Sequence, residues 1–107
     1  MINNLKELLI HEIRDLYSAE TQLVDALPGM ARSALNEELK VAFSNHLEET
    51  KKHVSRLSEA AEKLSVSPEG ETCEAMKGLL REAEETMKIP ADPSVKDAAL
   101  IAAAQRV

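Results

Sequence analysis

Apolar side chains recur every three or four residues through most of the chain, and the pattern is interrupted at only three places: PG at 28–29, SVSPEGET at 65–72 and IPADPS at 89–94. That period belongs to helices, and the breaks define four helical segments. The first begins at about Asn4, an N-cap candidate, and runs to Leu27, then beyond Pro28 with a bend, because proline removes a backbone donor and clashes with the preceding turn. Asn36, followed by Glu37 and Glu38, caps a second helix that reaches about Leu64. Thr72 is placed to cap a shorter third helix, with Met76, Leu79, Leu80, Ala83 and Met87 on its buried side and its end before Pro90. Asp92 and Pro93 begin the fourth. Its sequence, SVKDAALIAAAQRV, is apolar or small on nearly every face, as suits a helix packed among neighbours, and it reaches Val107 without a stop signal. The expectation is a single helical domain over 1–107 that is incomplete at its C-terminus.

Projected at about 100° per residue, the second segment gathers Leu39, Ala42, Phe43, His46, Glu49, Thr50, His53, Leu57, Ala60 and Leu64 into one stripe. His46, Glu49 and His53 are therefore expected to face the core, while Glu48, Lys51 and Lys52 point away. On the first segment the stripe is Leu5, Leu9, Ile13, Leu16, Tyr17, Leu23, Val24 and Leu27, with Glu20 at its centre and His11 outside it. A carboxylate among leucines carries a large desolvation cost unless a proton, a cation or a metal compensates it. Antiparallel helices would set Glu20 roughly level with Glu49. Carboxylates and imidazoles converging inside a bundle are the ligand set of a dinuclear iron or manganese centre, which makes Glu20, Glu49, His53 and His46 candidate metal ligands. The competing interpretation is a structural network, Glu20 with Tyr17 and His53 with Glu49, that only fixes the packing register.

Composition narrows the choice. With 107 residues and a formal charge of -6, the chain lacks the clustered cations of a nucleic-acid binder. Aromatics make up 2% of residues, so the core must be aliphatic, which favours helices over sheets. One cysteine, Cys73, excludes an internal disulfide and a cysteine-based zinc motif, and a reducing cytoplasmic setting fits best. The longest apolar run, AALIAAA at 98–104, is too short to span a bilayer, so neither membrane nor export is expected. Met30, Met76 and Met87 suit packing better than ligation, and Cys73 reads as a small buried thiol. No Ser-His-Asp arrangement, phosphate-cradling glycine loop or zinc-protease motif is present.

Four blocks, HEIRDLYSAETQLVDALPGMA, AFSNHLEETKKHVSRL, CEAMKGLLREAEE and VKDAALIAAAQRV, in that order and covering essentially the whole chain, resemble the YciE/YciF family of bacterial stress-associated, ferritin-like proteins. The resemblance implies an all-α, ferritin-like four-helix bundle with a short extra helix between the second and third long helices, dimeric, with a di-metal site. It places Glu20 and Glu49 as the first- and second-helix glutamate ligands. The usual histidine three residues after the second glutamate is Lys52 here, which leaves the nitrogen ligand to His53 or His46. Family members continue after AAAQRV with an acidic-histidine block and another long helix. A chain without them is expected to pair with a second copy, bringing two Glu20 and two Glu49 together, or to be part of a longer one. The function so implied is that of a stress-associated protein acting on Fe(II), oxygen or peroxide. The alternative is a non-enzymatic helical interaction protein.

Overall fold

Both long helices start where an asparagine side chain closes the first turn. Asn4 Oδ1 accepts from Glu7 N at 2.9 Å and Asn36 Oδ1 accepts from Leu39 N at 3.1 Å, each satisfying a backbone donor that the helix itself leaves free. The computed structural model describes residues 2–107 and is all-helical: α1 Leu5–Ser33, α2 Glu37–Lys63, α3 Glu74–Met87 and α4 Pro93–Ala104. Among the described residues there is no strand, and no helix is long and apolar enough to cross a membrane.

α1 continues through Pro28 to Ser33. An interior proline costs about 3 kcal/mol, and the helix tolerates it because Leu27, Met30 and Ala34 around it are fully buried. Each large apolar side chain so buried contributes roughly 1.5–3 kcal/mol, so packing outweighs the lost hydrogen bond. Only Ala34, Leu35 and Asn36 separate α1 from α2, which forces the two into an antiparallel hairpin. Asp97 of α4 holds that turn, its two carboxylate oxygens accepting from Leu35 N at 2.9 Å and Asn36 N at 2.8 Å.

α3 begins one residue later than Thr72 predicts. Its N-cap is Cys73, whose Sγ accepts from Met76 N at 3.5 Å. The cause is tertiary: Cys73 N donates to Ser18 Oγ at 2.8 Å, and its carbonyl accepts from Gln22 Nε2 at 3.1 Å. α1 thereby clamps the backbone of Cys73, leaving Thr72 exposed and the thiol buried. The end of α2 is a Schellman turn, with Val66 N donating to Ala61 O and Ser65 N to Glu62 O, and it puts Ser65 at φ 58.

The core is made by Leu23, Leu27, Met30, Ala34, Phe43, Ala83 and Leu100, where all four helices meet. α3 packs on α1 and α4 on α3, with Arg106 Nη1 of the α4 terminus 3.0 Å from Glu82 Oε2. α3 covers the C-terminal half of α1, and α4 reaches the core through Leu100. Leu5, Leu9 and Leu16, expected on the buried stripe, are 83%, 49% and 48% exposed, whereas Ile13 on the same stripe is buried, so the N-terminal half of the stripe is only partly covered. The molecule measures 51 × 24 × 16 Å, and its thinnest dimension is little more than one helix diameter of roughly 10–12 Å.

Two stability changes follow. Ser65 sits in the left-handed region that glycine occupies without steric cost, so Ser65→Gly should stabilise the fold by about 1 kcal/mol in urea unfolding. Asp97→Ala removes two charge-assisted hydrogen bonds at the hairpin turn and should cost about 2 kcal/mol, with Asp97→Asn recovering part of it.

Candidate metal centre

Glu20 lies on the same stripe of α1 as Leu16 and Leu23, one of them half exposed and the other buried, and so stands where the closed core gives way to the open face. The antiparallel hairpin brings His53 of α2 opposite it. Glu20 Oε1 is 3.6 Å from His53 Nδ1, in ion-pair range but too long for a good hydrogen bond. The glutamate side chain is only 23% exposed and the imidazole 43%. The second oxygen, Glu20 Oε2, is closed off from solvent and has no hydrogen-bond partner. Buried carboxylate oxygens are almost always satisfied, so this atom calls for an explanation.

His46 is held differently. Thr50, fully buried at the centre of the α2 contact face, donates its hydroxyl proton to the His46 carbonyl at 2.7 Å, and the same oxygen lies 3.2 Å from His46 Nδ1. One hydroxyl has one proton, so both contacts are satisfied together when Nδ1 donates. That tautomer leaves the lone pair of His46 on Nε2.

Glu49 does not face the core. Its side chain is 61% exposed and its Oε1 is 3.4 Å from Lys52 Nζ. The buried face of α2 is centred on Phe43, Thr50 and Ala61, so the stripe is rotated away from Glu49 and Ala42, both exposed. The pairing of Glu20 with Tyr17 and His53 with Glu49 is likewise replaced by Glu20 with His53. His11, expected at the surface, is partly exposed and stands 3.5 Å from Glu71. Among the described residues, no group of three or more His, Cys, Asp or Glu side chains is placed to hold a metal ion. The chain therefore brings together one carboxylate and one imidazole, with His46 and Glu49 on the adjoining part of α2. Sequence projection placed Thr50 in the stripe without assigning it a role; its position one turn after His46 was the available signal.

Comparison with known proteins sets these residues in a family. Residues 4–107 match the family described as "Domain of unknown function (DUF892)". Protein YciF of Escherichia coli (strain K12) is 42% identical over 107 residues, which is 99% of this chain and 64% of that protein. The solved structure of the Escherichia coli stress protein YciF superposes with a TM-score of 0.91 at 40% identity, over 98% of this chain and 67% of that one. YcfI of Rhodopseudomonas palustris, for which a structural role has been suggested, also gives 0.91, at 44% identity, over 97% of this chain and 66% of that one. The chain thus spans about two thirds of the length of these relatives. Its four helices follow theirs almost throughout, an arrangement compatible with a ferritin-like bundle. With the family profile matched over nearly every residue and the same helices in the same places, the chain belongs to the DUF892 family of YciF-like helical proteins.

Proposed function

We propose that this is a ferritin-like, stress-associated protein in which Glu20 and His53 form part of a dinuclear iron or manganese centre, completed when the open face of the α1–α2 hairpin is covered by a second copy. The observation that carries this reading is Glu20 Oε2, a buried carboxylate oxygen with no donor, beside an imidazole. A divalent cation would satisfy that oxygen, and mixed oxygen and nitrogen donors suit Fe(II) or Mn(II). The residues present fit such a group in part, supplying two donors directly. Glu49 is tied only to Lys52 at the surface, a pair worth under about 1 kcal/mol, so its carboxylate is free to change partner. His46 keeps its Nε2 lone pair available through the contact with Thr50.

Exposed Leu9 and Leu16 share the stripe of Glu20, so pairing of copies over that stripe would remove both leucines from water and bring further carboxylates to the site. The metal pair, when bound, would supply one-electron chemistry on Fe(II), oxygen or peroxide. This chain's own residues would orient the ligands and exclude water.

A structural role is the second reading, favoured by the absence among the described residues of a third converging ligand. Metal content per chain, read by elemental analysis after anaerobic Fe(II) loading and desalting, separates the two. The parent protein should retain iron as a dimer by light scattering, and Glu20→Ala and His53→Ala should each lose it, with the same order in the rise of Tm on adding Mn(II). Equal retention by parent and variants would sink the proposal.

Stability without metal gives an independent answer. Glu20→Leu removes an uncompensated carboxylate and should stabilise the metal-free protein by about 1–2 kcal/mol. Destabilisation by a similar amount would instead show that the Glu20–His53 pair holds the hairpin together.

A further inference from the structure

A cleft of about 480 Å³ runs between the C-terminal half of α1 and α3, on residues unconnected with Glu20 and His53. Its floor is apolar and adaptable: Met30 and Ala83 are buried, and Leu80 and Met87 line the wall. Its rim carries three cations, Arg32 from α1 and Lys77 and Arg81 one turn apart on α3. None of the three has an ion-pair partner among the described residues, a state they share with Lys6, Arg14, Arg56, Lys63 and Lys96. Of the two carboxylates on the rim, Glu84 is engaged by Lys88 at 3.6 Å, and Asp25 is the other. The lining thus carries three cations and two carboxylates, a net charge of +1 in a chain of net charge -6.

From this juxtaposition we infer that the cleft between α1 and α3 binds a small amphipathic anion, a single acyl-type chain ending in a carboxylate or phosphate. The head group pairs with Arg32, Lys77 and Arg81, and the apolar body lies over Met30, Leu80 and Met87. The volume falls within the roughly 300–1,000 Å³ of small-molecule sites. Guanidinium groups suit the head group, because they present a planar fork to carboxylate or phosphate oxygens. Gly29 lies in the lining beside Arg32: a Cβ there would meet only Arg32 Nη2, at 3.8 Å, so a side chain can be added without moving the helix.

Amide NMR shifts of the folded protein would be followed while decanoate or decyl phosphate is added below micelle formation, with uncharged decyl maltoside and inorganic phosphate for comparison. Both charged amphiphiles should shift residues around Gly29 and Ala83, with decyl maltoside and inorganic phosphate each at least roughly tenfold weaker. Lys77→Gln with Arg81→Gln, two exposed changes the fold tolerates, should weaken decanoate roughly tenfold or more. Gly29→Leu, which adds bulk to the cleft and retains all three cationic residues, should weaken it as well. Equal affinity for decyl maltoside or inorganic phosphate, shifts centred instead on Leu5, Leu9 and Leu16, indifference to these substitutions, or no binding would each overturn the inference.

Discussion

Asp97 of α4 closes the turn between the two long helices by accepting from Leu35 N and Asn36 N, and the register this imposes runs the length of the hairpin. With three residues in the turn, α2 has little freedom to slide along α1. Phe43 joins the cluster of Leu27 and Met30, and farther along His53 comes opposite Glu20. Near the end, Arg14 Nε donates to Ser67 O at 3.0 Å, fixing the loop after α2 against α1. A shift of one helical turn would undo each of these meetings at once, because packed helices settle into discrete interdigitations.

The two ends of the hairpin are unlike each other. Around Leu27 and Met30 four helices close a core, and the side chains there are wholly removed from water. Around Leu5 and Leu9 the leucine stripe meets solvent. Glu20 occupies the border, one oxygen toward His53 and the other sealed without a partner. Under the proposed function this position has a physical logic. Covering the open face lowers the local dielectric and makes an uncompensated carboxylate more costly, so closure of the face and uptake of a cation reinforce each other.

Charge is distributed unevenly as well. The glutamates of α2 are met by lysines three residues later, an arrangement that keeps the outer surface of the helix solvated at small energetic gain. Among the described residues the cations facing the α1–α3 cleft make no such pairs, although Glu74 stands three residues before Lys77. Helical periodicity alone does not reveal this difference, since Arg32 lies far in sequence from Lys77 and Arg81 and only the packing of α3 on α1 places them around one space.

What the sequence determined by itself is what depends on neighbours a turn or less away. Asn4, Asn36 and Pro93 mark helix starts because a cap needs only the next few residues, and the aliphatic stripes mark which side chains can share a face. Glu20 stood out on the same grounds. The start of α3 escaped because Ser18, 55 residues away, holds Cys73. Glu49 escaped because a broad, mixed stripe does not reveal its own centre: Thr50, next to it, is fully buried at the middle of the contact face, which turns Glu49 to the surface. Leu5, Leu9 and Leu16 have the periodicity of a core and yet meet water. Periodicity records a capacity for burial, and whether that capacity is used depends on what else lies against the helix, a matter of tertiary structure alone.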